Sequence, residues 1–152
     1  MNINDKLNDL AFKIDEDKFI NSNDLKGQNL ILYFYPKDDT PGCTVEAIDF
    51  SKSKNNFSKL DTKIFGVSKD SIEKHKKFVT KHSLTIDLIS DDASICEKFG
   101  VWVEKSMYGK KYMGIERATF LFDKDLKLIK TWRNVKVKGH VEEVLDFIKN
   151  LS

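Results

Sequence analysis

The first long hydrophobic block in the chain is Leu30-Ile-Leu-Tyr-Phe-Tyr35, six residues closed by Pro36. It is too short for a helix and shows no polar alternation, so it predicts a strand buried on both faces. Beyond it the period changes. Cys43, Ala47, Phe50, Phe57 and Leu60 fall on one side of a 3.6-residue wheel and predict a helix over residues 43–60. Strands follow at 62–68 and 86–89, with helices predicted at 70–82 and 93–99. Residues 118–122 and 126–132 read as strands around Asp123-Lys-Asp125, a hairpin. Residues 140–151 close the chain as an amphipathic helix with Val141, Val144, Leu145 and Ile148 inward. Ahead of the first block, residues 10–14 and 18–20 flank Asp15-Glu-Asp17 as a shorter hairpin.

Alternating strands and helices with a terminal hairpin imply α/β layers, a central sheet covered by helices on both sides. No repeat, low-complexity tract or linker interrupts the 152 residues, so one domain spanning 1–152 is expected. In such layers, chemistry sits where loops leave the C-terminal ends of parallel strands. The loop after Tyr35 is one of these.

Composition narrows the class. Hydrophobic residues make up 40% and charged residues 33%, an ordinary globular balance. Lys and Arg number 26 against 24 Asp and Glu, a net charge of +2 with the positives scattered. That predicts neither nucleic-acid nor anionic-membrane binding. The longest apolar run is far short of a membrane span, and the first residues lack a secretory pattern. Two cysteines are too few for a disulfide framework and suit a reducing, cytoplasmic setting.

The loop after the buried strand reads Pro36-Lys-Asp-Asp-Thr-Pro-Gly-Cys43. A cysteine in the first turn of a helix lies at the positive end of the dipole, among N–H groups without intrahelical partners, and both favour thiolate. Thr40 can cap the helix or turn its hydroxyl toward the same small volume. Pro36 stiffens the entrance, while Pro41 and Gly42 allow close approach of a small ligand. A magnitude shows what else is needed. Lowering any thiol from about 8.5 to about 6 raises its thiolate fraction at pH 7 roughly 30-fold, worth only about 2 kcal/mol. Efficient attack by a thiolate also needs donors aimed at the charge on the departing atom, and a guanidinium supplies both charge and a rigid fork.

Pro36-xxx-Thr40-xx-Cys43 resembles the active-site signature of the peroxiredoxins. The longer stretch Tyr33-Phe-Tyr-Pro-Lys-Asp-Asp-Thr-Pro-Gly-Cys-Thr-Val-Glu-Ala47 is similar to their bacterioferritin comigratory protein group, also called PrxQ. The block Lys98-Phe-Gly-Val-Trp-Val-Glu-Lys-Ser-Met-Tyr-Gly-Lys-Lys-Tyr-Met-Gly-Ile-Glu-Arg117 is similar to the same group. The resemblance implies a thioredoxin-like fold with a mixed central sheet and an N-terminal hairpin. It implies Cys43 as peroxidatic nucleophile, Thr40 as peroxide ligand and Arg117 as the guanidinium beside them. Glu46 matches a position that orients the arginine, and Pro36 one that shields the sulfur. The implied activity is thiol-dependent reduction of hydrogen peroxide and organic hydroperoxides through a sulfenic acid. An external thiol, from a thioredoxin or a glutathione/glutaredoxin system, completes it without cofactor or metal, in a monomer or weak homodimer.

Two departures stand out. The position five residues after Cys43, which carries a resolving cysteine in many members, is Ile48, and residues 70–82 contain none. A one-cysteine cycle is therefore expected, with Cys96 the only internal candidate for resolution. The hairpin also has Leu126 where the family often has glycine.

Other readings compete. A thioredoxin-type disulfide reductase would need Cys-x-x-Cys, and Thr40 occupies the first place. A redox sensor or thiol-dependent chaperone would use the same Cys43. Arg117 taken alone could be a surface partner of Glu116. His75 and His82 share a helix face, but no carboxylate or cysteine joins them at ligand spacing, so no metal centre is expected. His140 is expected at the surface. Lys105, Lys110 and Lys111 read as a small basic loop, of a kind that is usually only solvated, with a place at the border of the active-site mouth as the alternative.

Overall fold

The structure, a computed structural model, describes residues 1–151. Strands β1 (Ala11–Asp15) and β2 (Lys18–Asn21) form the N-terminal hairpin, and β3 (Asn29–Phe34) is the predicted buried strand. Helix α1 (Pro41–Ser58), β4 (Thr62–Ser68), α2 (Ile72–His82), β5 (Asp87–Ser90) and α3 (Ser94–Lys98) follow in the expected alternation. After them come β6 (Trp102–Met107), β7 (Lys110–Ile115), β8 (Ala118–Phe122), β9 (Leu128–Trp132) and α4 (His140–Lys149).

The central sheet has the order β5-β4-β3-β8-β9, parallel from β5 to β3 and antiparallel through β8 and β9. The two-residue period divides β3 cleanly. Leu30, Leu32 and Phe34 point to one face; Ile31 and Tyr33 point to the other, as does Tyr35 just beyond the strand. The crossovers β3-α1-β4 and β4-α2-β5 step in the same direction along the sheet. Right-handed connections then place α1 and α2 on one face, where α4 joins them. The N-terminal hairpin, through Phe12, and α3, through Ile95 and Cys96, cover the opposite face. Among the described residues, no helix is long and apolar enough to cross a membrane.

Two local features differ from expectation. Helix α1 begins at Pro41 rather than residue 43, because proline at the first helical position has its φ already set and lacks only an N–H that would go unpaired. The β6–β7 hairpin occupies what the sequence suggests is a basic loop. Tyr108 and Gly109 turn it with φ of 52° and 78°, both left-handed as a tight hairpin turn requires.

Candidate active site

Strand β3 delivers the chain to Pro36, and the loop to Thr40 feeds straight into α1. Thr40 holds the N-cap position with extended backbone, and its carbonyl accepts the N–H of Thr44 at 2.8 Å. Its hydroxyl makes no cap. It donates instead to the carbonyl of Lys37 at 2.9 Å, which closes the loop on itself. Gly42 and Cys43 precede that first helical bond, so their N–H groups lie at the positive end of α1.

Cys43 is buried, with 2% of its surface exposed. Arg117, in the short link between β7 and β8, donates from Nη2 to the Cys43 sulfur at 3.3 Å. Its Nη1 donates to Glu46 Oε1 at 2.7 Å. Glu46 is one helical turn beyond Cys43, on the same face of α1. Glycine at position 42 makes the approach possible, since a Cβ there would lie 3.2 Å from Arg117 Nη2. The Arg117 carbonyl accepts the N–H of Val135 at 2.9 Å, fixing its backbone from the other side.

Glu46 is fully buried, and its Oε2 has no hydrogen-bond partner. Burial outweighs the pull of Arg117 and raises the carboxyl to about 7. Arg117 is not the surface partner of Glu116, which instead receives two bonds from Arg133, each at 2.7 Å. Pro36 is half-buried at the end of the strand. Cys96 lies on α3 with no exposed surface, packed in the core of the opposite face of the sheet. Burial pushes its thiol far up, and Asp91 acts in the same direction.

Carboxylates do join the histidines of α2, but from outside the helix. His75 Nδ1 meets Asp38 Oδ2 at 2.6 Å, and His75 Nε2 donates to the Ile89 carbonyl at 3.0 Å. Asp38 Oδ1 accepts from Tyr35 at 2.6 Å, while Asp70 Oδ2 accepts from Ser68 and from the Asp38 N–H, both at 2.8 Å. Asp38, Asp70 and His75 cluster as metal ligands might, but their ligand-type atoms are engaged in this buried network. One residue on, Asp39 accepts from Lys81 at 2.7 Å and pairs with His82 at 2.8 Å. The loop bearing Cys43 is thus fastened to α2 at two successive aspartates. Chain spacing could not show this, because each partner is more than 35 residues away.

His140 is also not at the surface. It is buried beside Phe50 and Trp132, with Nε2 2.8 Å from the Thr119 hydroxyl. Burial lowers it to about 4.

Comparison with known proteins adds identity to this geometry. The model of the AhpC/TSA family matches residues 3–131. The chain belongs to that family. Peroxiredoxin Bcp of Bacillus subtilis is 52% identical over 151 residues, covering 99% of this chain and 96% of its own. The structure of a Xylella fastidiosa PrxQ mutant superposes with a TM-score of 0.92 at 40% identity, over 98% of this chain and 96% of that one. Xanthomonas campestris bacterioferritin comigratory protein, studied for alkyl peroxide reduction in trapped intermediate and ligand complexes, gives 0.91 at 41% identity, over 95% and 91%. The chain is accordingly a peroxiredoxin of the Bcp/PrxQ kind with a thioredoxin-like fold, and a thiol-dependent peroxidase.

Proposed function

We propose that Cys43 is the peroxidatic nucleophile of a one-cysteine cycle acting on hydrogen peroxide and organic hydroperoxides. Its thiolate attacks one peroxide oxygen. The S–O bond forms as the O–O bond breaks, sulfur gives up two electrons, and the departing oxygen takes a proton and leaves as water or alcohol. Arg117 aims its Nη2 at this point, its Nη1 being held by Glu46, and stabilises charge on sulfur and on the leaving oxygen. Thr40 holds the peroxide, Glu46 sets the plane of the guanidinium, and Pro36 shields the sulfur. A thiolate then attacks the sulfenic sulfur and expels hydroxide, which takes up a proton, and a second thiol releases Cys43.

The observation that carries this reading is the single guanidinium bridging the Cys43 sulfur and a buried carboxylate, 3.3 Å and 2.7 Å away. The thiol comes from outside, from a thioredoxin or a glutathione/glutaredoxin system, because Cys96 packs on the far face of the sheet. The chain works as one domain, cytoplasmic, as a monomer or weak homodimer, with no nucleic-acid or membrane partner.

Mass spectrometry after one equivalent of peroxide tests this, with Cys43→Ser as control. The expected product is one added oxygen, or a dimedone adduct, on Cys43, with turnover abolished in a folded mutant. A Cys43–Cys96 linked peptide would refute the one-cysteine cycle, and turnover by the serine variant would refute the nucleophile.

A further inference from the structure

Lys105 on β6 occupies an unusual place for a lysine. Its stem crosses the neighbouring strand at Gly114, where a Cβ would stand 3.1 Å from its Cδ and 3.4 Å from its Cε. The ammonium ends on the carbonyl of Ile115 at 2.5 Å, two residues before Arg117. Lys105, Arg117 and Lys136 line one groove with Val103, Glu116 and Val135. The two acids of that groove are already committed, Glu104 to Lys111 at 3.6 Å and Glu116 to Arg133 at 2.7 Å. Among the described residues Lys105 has no carboxylate partner.

A lysine without a counter-charge ordinarily extends its ammonium into water. This one is half-buried and held beside another cation. Burial brings it below the usual lysine range, Arg117 acts in the same direction, and the charges of Cys43 and Glu116 oppose both. A half-buried cation whose acidic neighbours are paired with other cations suits a place where negative charge comes and goes.

We propose that Lys105 is a second cation of the reaction centre, set behind Arg117, where it stabilises the charge on the sulfur before attack and on the oxygen that departs. This rests on the Cys43 cycle above. Arg117 works by contact and Lys105 through the field across the groove they share. It keeps its proton throughout, and the departing oxygen is protonated from water. The other charges are Glu46 from α1, which holds Arg117 beside the sulfur, and Glu104, Glu116 and Lys136, which share the groove with Lys105.

The test is single-turnover oxidation of Cys43 by hydrogen peroxide between pH 4 and pH 9, without reductant, in three variants. Lys105→Met keeps the stem and should react about five- to tenfold more slowly at pH 7, with the acid limb of its pH–rate profile moved upward. Lys105→Arg should retain most of the rate and the wild-type limb. Gly114→Ala displaces the stem without removing charge and should fall between. A folded Lys105→Met variant with wild-type rate and limb would overturn the inference. So would equal losses in the Met and Arg variants, which would mean the stem only packs. If the wild type itself fails to oxidise at Cys43, the cycle is at fault rather than Lys105.

Discussion

Glu46 binds Arg117 through one oxygen and leaves the other buried without a partner. Its value of about 7 lies above the 4.5 of a free glutamate, so the folded chain holds the proton more tightly than the unfolded one. The stabilisation from that proton is complete below about 4.5 and is lost as pH rises through about 7. Glu46→Gln cannot titrate. Wild-type stability relative to the glutamine variant should therefore fall by up to about 3 kcal/mol from pH 4.5 to pH 8. Urea midpoints across that range measure the slope. Parallel curves would show that Arg117 keeps Glu46 ionised throughout.

At the scale of elements, the loop from Pro36 to Cys43 owes its shape to α2. Removing the buried partner in His75→Ala leaves the buried Asp38 carboxylate short of a bond and should cost about 2–3 kcal/mol. His82→Ala, at the exposed Asp39, should cost under about 1 kcal/mol. Amide exchange over residues 38–43 should rise in the same order, and equal effects from the two changes would count against this fastening. The sequence shows one side of the arrangement. Thr40 and Cys43 are legible because loop, cap and first helical turn are contiguous, and Arg117 and Glu46 because two separated blocks resemble one group. The network of Asp38, Asp39, His75 and His82 is not, since it joins a loop to a helix only after the sheet has formed. The β6–β7 hairpin escapes for another reason. Its strands stand largely in water, so no alternation marks them, and Tyr-Gly is a weaker turn signal than Asn-Gly. Leu126 shows a third kind of limit. It adopts φ of 62°, where glycine would be relaxed, yet its side chain is wholly buried. Filling the core with a leucine is worth more than the roughly 1–2 kcal/mol of backbone strain.

For the whole molecule, the central sheet separates the two cysteines. Cys43 belongs to the core under α1, α2 and α4, and Cys96 to the core under α3 and the N-terminal hairpin. A disulfide needs Cα atoms within about 7 Å, so joining the two would mean dismantling a strand. Cys96→Ala should leave steady-state turnover at the wild-type level while lowering stability by about 1 kcal/mol. A matching loss of turnover would give Cys96 a part in resolution. The same topology sets a calendar. Arg117 lies 74 residues after Cys43, and it reaches the sulfur only when β8 has paired with β3. At about 5–20 residues per second, a ribosome extends the chain for roughly 4–15 seconds between the two. Until then Cys43 lacks its guanidinium. On the proposed cycle, a chain cut short before β8 is spared the chemistry along with the fold, and the finished protein acquires its reactive sulfur only when β8 closes on β3.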